Sequence, residues 1–150
     1  MRLTLCLLVC ILIGHAQDMG IVRTMAENKF EPHPALPSCV NIAVQNGDPS
    51  KGASVILMKV ATGCVIPWHW HTPVEQVMIV SGSAKVEMKD SGKSAVLGPG
   101  GFAMMPSKHV HQFTCVSACT VFVNSSAAFD IHFVDSKGTE ITADAALKKK

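Results

Sequence analysis

The sequence predicts an all-β fold, a small antiparallel barrel or sandwich that follows an extended arm and ends in a short helix. Three observations carry that prediction. From Cys39 onward, clusters of Gly, Pro, Asn, Asp and Ser recur about every ten residues between apolar runs, which is the punctuation of short antiparallel strands. In Lys85-Val86-Glu87-Met88-Lys89 apolar and charged side chains alternate, so Val86 and Met88 share one face and the charges the other. Helix signals are confined to the end of the chain.

From the N-terminus, residues 1–16 have the form of a signal peptide. Arg2 precedes an apolar run from Leu3 to Gly14, and the small residues Gly14 and Ala16 set cleavage between Ala16 and Gln17. As a membrane helix that run would reach only about 18 Å, against a hydrocarbon core of about 30 Å. A secreted or periplasmic protein with no membrane contact after cleavage is therefore expected. Lipid attachment at Cys10 is disfavoured by the bulk of Val9. Residues 17–38 contain Pro32, Pro34 and Pro37 and are expected to form an extended arm. Residues 39–135 hold the strands of the barrel. Among them residues 53–60, ASVILMKV, are apolar almost throughout, as in a strand covered on both faces, while residues 109–115 and 119–124 are expected to be two strands joined by a short loop. Residues 136–150 form a tail in which Thr142 can cap a short helix, with Asp144 in its first turn and lysines at its end.

With 150 residues, 48% of them hydrophobic, the chain can bury one ordinary core. The net charge of +2 is small and the basic residues form no stripe, so nucleic acid is not an expected partner. Signal cleavage would leave Cys39, Cys64, Cys115 and Cys119, an even number in an exported chain, which points to disulfides with three possible pairings. Cys115 with Cys119 is favoured, bracketing Val116-Ser117-Ala118 across a hairpin; Cys39 and Cys64 either pair or stay buried thiols. Asn124-Ser125-Ser126 is a glycosylation acceptor if the source is eukaryotic.

The chemistry concentrates in Gly63 to Gly82, GCVIPWHWHTPVEQVMIVSG. On a strand, residues two apart point the same way, so His69 and His71 aim two imidazoles at one place while Trp68 and Trp70 face outward as packing or subunit-interface residues. Glu75 opens the next apolar run and can return a carboxylate to that place, and His111 can enter from a later strand. Three imidazoles and one carboxylate suit a divalent transition ion. His109 shares the parity of His111 and is a candidate acid/base group, a partner of the ligands or an alternative ligand, with a surface histidine at the barrel rim as the other reading. His132 is expected on a solvent face, and His33, in the arm, is expected to have no chemical role. The methionines, including Met78, Met104 and Met105, are expected in the core.

These residues resemble the two motifs of the cupin superfamily. The first motif is matched in full by Gly63, His69, His71, Glu75 and Gly82. The second is matched by Gly100, Pro106 and His111, with Lys108 where a glycine is usual and Cys115 where an asparagine is usual. The resemblance spans about Val40 to Val134 and implies a small jelly-roll barrel of two antiparallel sheets, a metal held by His69, His71, Glu75 and His111, and a homodimer. Fe or Mn is favoured, with Ni, Zn, Cu and Co as alternatives. Because the metal would keep a net positive charge in this donor set, a small and anionic ligand or substrate is expected. A dioxygenase-like oxidoreductase, a non-catalytic binding protein and a metal-assisted isomerase or lyase all remain open, since this fold serves many chemistries.

Overall fold

The structure is a computed structural model that describes residues 20–148, so the signal-peptide reading of residues 1–16 falls outside the described residues. After a 3-10 turn at Met25–Glu27 come ten strands among the described residues. They are β1 (Glu31–Pro32), β2 (Val40–Gly47), β3 (Ser54–Val60), β4 (Val65–Trp70), β5 (Glu75–Met88), β6 (Ser94–Leu97), β7 (Phe102–Met105), β8 (His111–Ser125), β9 (His132–Val134) and β10 (Glu140–Ile141). Helix α1 (Ala143–Leu147) closes the described chain.

All the pairings are antiparallel, and they divide into two layers. One runs β1-β2-β3-β8-β5-β7, using the second half of β8 and the first half of β5. The other runs β10-β9-β4-β8-β5-β6, using their remaining halves. The layers are therefore not separate sheets. They form one open hydrogen-bonded network, folded over along the β5–β8 ribbon.

That ribbon differs from expectation. Residues 109–115 and 119–124 were expected as two strands and merge into β8, and β5 likewise runs unbroken past Gly82. The small residues around Gly82 and Ser117 face each other across the ribbon, so they make bulges in a continuing ladder instead of turns. Gly82 has φ +72°, and a Cβ there would sit 2.1 Å from the carbonyl oxygen of Ala118, so the bend requires glycine.

The core lies between the layers and includes Ile56, Met58, Ile66, Val77, Phe113, Val121 and Phe133. Leu57, on the opposite face of β3, is buried as well, so this strand is covered on both sides as its composition implies. The arm is extended and pinned over the barrel: β1 pairs with β2, Arg23 donates to the Val44 carbonyl at 2.9 Å, and the Lys59 ammonium lies 4.2 Å from the centre of the Phe30 ring. Met105 is in the core, but Met78 and Met104 are exposed on the outer face of β5 and β7. In the tail, Thr142 Oγ1 accepts from the Ala145 amide as a helix cap, and β10 adds a strand that the sequence did not signal.

Two disulfides form, Cys39–Cys64 and Cys115–Cys119. The second does not cross a hairpin; both of its cysteines lie on β8, on either side of the bulge. No helix among the described residues is long and apolar enough to cross a membrane.

Candidate metal centre

Strand parity brings the site together. His69 lies near the end of β4 and His71 follows just beyond it, both 3% exposed, while Trp68 and Trp70 face the other way and are half-buried. Glu75 opens β5, and His111 opens β8 directly opposite His69 in the ladder. The imidazole centroids stand 4.1 Å (His69–His111), 4.8 Å (His69–His71) and 5.3 Å (His71–His111) apart. One donor atom from each of His69, His71, Glu75 and His111 lies within 4.8 Å of all the others.

Backbone carbonyls fix how the rings present themselves. His69 Nδ1 bonds the Pro67 carbonyl at 2.6 Å, His111 Nδ1 bonds the His109 carbonyl at 2.9 Å, and His71 Nδ1 bonds the Asp130 carbonyl. A carbonyl can only accept, so each Nδ1 carries the proton and each Nε2 keeps its lone pair. These lone pairs face a carboxylate: Glu75 Oε2 is 3.2 Å from His111 Nε2 and 3.5 Å from His71 Nε2. His71 Nε2 is buried and has no hydrogen-bond partner. Lone pairs facing a buried carboxylate repel unless a cation lies between them. The donor set therefore fits a divalent ion, and the only substitute the residues can supply is a proton.

The titration behaviour follows from this crowding. Burial, aided by His111 and His71, pushes His69 well below the ordinary histidine value. Burial also lowers His71, but the Glu75 carboxylate outweighs it and leaves His71 raised. Burial raises Glu75, and the opposing pull of His71 and His111 holds it well below the usual carboxylate range. Glu75 thus supplies charge and His69 a neutral imidazole, while a proton at His71 competes with metal.

His69, His71 and Glu75 line a cavity of about 40 Å³ whose other walls include Ile42, Ile56, Met58, Val123, Phe129 and Ile131. His33 is also in that wall, since the turn after β1 carries the arm histidine over the barrel mouth. The side chain of His109 turns toward the surface, its Nδ1 4.0 Å from Asp90 Oδ2, and this residue meets the site through its carbonyl. His132 is partly exposed, stacks on Trp70 with centroids 3.9 Å apart, and lies between Asp130 and Glu140, so Trp70 finds its cover within the chain. Asp130 was not singled out in the sequence. Its carbonyl holds His71, and its carboxylate accepts from the Thr72 amide at 2.7 Å.

A model of the cupin domain family matches residues 56–124. Among solved structures, the chain is similar to the polyketide cyclase RemF from Streptomyces resistomycificus, with TM-score 0.66, 17% identity, and 86% of this chain and 99% of that one covered. It is similar also to KdgF from Halomonas sp., with TM-score 0.59, 18% identity, and coverage of 72% and 94%. Oxalate decarboxylase from Bacillus subtilis matches with TM-score 0.52, 20% identity, and coverage of 74% of this chain and 31% of that one. At these identities the likeness is one of fold. No curated protein matches the chain in sequence.

Proposed function

The chain belongs to the cupin superfamily, and from that premise we propose that it is an exported, metal-dependent oxidoreductase of dioxygenase type acting on a small oxygen-bearing molecule. The observation that carries the proposal is the inward convergence of lone-paired Nε2 atoms on ionised Glu75 at the end of an apolar cavity. Fe or Mn, held by His69, His71, Glu75 and His111, would supply Lewis acidity and one-electron chemistry when bound. The chain's own residues do the rest. The carbonyls of Pro67, Asp130 and His109 orient the three rings. The aliphatic walls exclude water and accept the apolar body of a ligand whose oxygen-bearing head faces the cluster.

The two disulfides support an oxidising destination, secreted or periplasmic. Exposed Met78, Phe102 and Met104, neighbours on β5 and β7, offer an apolar face for the homodimer that the resemblance implies.

A second reading, capture of a small anion without turnover, is favoured by one observation. Apart from His69, His71, Glu75 and His33, the cavity wall carries no titratable side chain to move a proton. Elemental analysis of protein purified without chelator, followed by oxygen-uptake measurements on Fe- or Mn-loaded protein with small carboxylates and phenols, separates the two. Oxygen consumption that disappears in Glu75→Gln supports the oxidoreductase. A redox-inert native ion together with substrate-independent silence would overturn it in favour of capture.

A further inference from the structure

The arm contributes a polar group to the cavity that differs chemically from the cluster. His33 follows β1, whose pairing with β2 (Pro32 with Asn41, Glu31 with Ile42) fixes where the arm crosses the barrel mouth. Leu36, three residues on, packs against the core, and its amide donates to the His33 carbonyl at 3.0 Å, closing a turn that holds residue 33 in place. Cys39, joined to Cys64, ties the far end of this turn to the barrel. His33 is therefore held over the cavity by strand pairing on one side and a covalent bond on the other.

Its ring is set in the opposite sense to those of the ligands. His33 Nδ1 accepts the backbone amide of Ala35 at 3.3 Å. An amide can only donate, so in the neutral ring Nδ1 bears the lone pair and Nε2 bears the proton. In His69, His71 and His111 the proton is on Nδ1 and the lone pair on Nε2. Among the described residues, the Ala35 bond is the one side-chain hydrogen bond His33 makes, which leaves Nε2–H without a protein acceptor. The cavity thus has lone pairs at the cluster and, among its lining residues, an arm histidine whose Nε2–H has no protein acceptor, with apolar side chains around both.

We infer that His33 is a recognition residue: its Nε2–H donates to a second oxygen of the ligand, selecting molecules that carry an acceptor apart from the metal-facing head and joined to it by an apolar body. This rests on the metal reading proposed above and adds to it the chemical class of the ligand.

The test uses cobalt(II)-loaded full-length mature protein, whose visible absorption reports carboxylate binding. Short straight-chain carboxylates are titrated against methyl-ketone carboxylates of equal length, over a series of lengths. The expected result is about a fivefold preference for the ketone at the length that fits, the worth of one neutral hydrogen bond. His33→Phe should abolish the preference without changing cobalt stoichiometry, and His33→Gln, which restores an N–H donor, should recover part of it. An unchanged preference in His33→Phe, or none at any length in the wild type, overturns the proposal. In metal-free protein at about pH 8, where free histidine is neutral, nitrogen-15 NMR should find the His33 proton on Nε2; a proton on Nδ1 overturns the proposal independently. Failure to take up cobalt defeats the metal reading, a result distinct from cobalt-loaded protein that binds carboxylates without regard to residue 33.

Discussion

Strand β4 pairs with the first half of β8, and the two ends of that pairing meet very different company. At one end Cys64 and Cys115 lie side by side, the Cys115 amide donating to the Cys64 carbonyl at 2.9 Å, and each cysteine is in a disulfide. At the other, His69 and His111 are ladder partners, and their rings join two more donors that need a cation. The first end is closed by covalent bonds and buried apolar residues. The second concentrates lone pairs and a carboxylate in a water-poor place, which a metal-free protein tolerates only because the rest of the structure is stable enough. Stability and function should therefore separate along the same two strands, and substitutions can test whether they do.

The largest expected effect is at the closed end. Replacing Cys39 and Cys64 together by serine frees a loop spanning 25 positions and should lower unfolding free energy by about 3.5 kcal/mol on the chain-entropy scale. The Cys115–Cys119 bond spans 4 positions, and its removal should cost nearer to about 2 kcal/mol. Denaturant unfolding measures both, and metal stoichiometry should remain at the wild-type value. If losing either bond emptied the metal centre, the two ends would not be separable. At the open end, His111→Ala should weaken metal binding by more than about 100-fold, beyond what loss of a mere ligand-orienting partner costs. In metal-free protein it removes a buried ring and a partner that holds Glu75 ionised, so the unfolding midpoint should fall, but by less than in the disulfide variants. A fall in the metal-free midpoint as large as theirs would mean the cluster is structural.

The pH dependence sharpens the same contrast. Because the His71 value is raised above 6.5 on folding, its contribution is complete below 6.5 and is lost as pH rises through the folded value. The His69 value is lowered, so its contribution is present above 6.5 and falls away as pH drops; Glu75, also lowered, adds a further loss below 4.5. Metal-free protein should accordingly melt highest near pH 6.5, with a steeper fall on the acid side. Metal occupancy should decline below about pH 6, where imidazoles take up protons in competition with the ion. Thermal melts across pH, with and without chelator, check both. A metal-free maximum above pH 8 would contradict the assigned shifts.

The two ends also differ in how much the sequence disclosed. The donors were legible because strand parity turns His69 and His71 into one pair, and because the motif spacing carries Glu75 and His111 to the same place. What orients those donors was not, since Pro67, Asp130 and His109 act through backbone carbonyls, which every residue possesses. The placement of His33 was illegible for a related reason: where a proline-rich arm crosses is set by pairing with β2, not by local composition. The barrel's all-β character followed from turn punctuation, but the same small residues that signal turns also permit bulges. So β8 was divided in two, and the Cys115–Cys119 pair was assigned to a hairpin that is a bend within one strand.

The smallest expected effect concerns Lys108, which stands where the resembling motif usually has glycine. Its φ is +60°, and it is the one residue other than glycine with positive φ among the described residues. Its amide donates to the His71 carbonyl at 2.8 Å, so this strained turn ties the approach to β8 directly to a residue of the donor cluster. Holding a side chain in the left-handed region costs about 1–2 kcal/mol, while glycine loses about 0.4–1 kcal/mol through its freer unfolded chain. The Lys108 ammonium also sits 5.9 Å from the centre of the Trp70 ring, a contact whose loss slightly reduces the benefit. Lys108→Gly should therefore gain under about 1 kcal/mol, about 3 °C in melting midpoint, with metal affinity unchanged because the amide bond to His71 does not involve the side chain. Lys108→Ala keeps the strain and loses the contact, so it should show no gain; equal stabilisation by both substitutions would place the effect in the side chain's charge and not in the backbone.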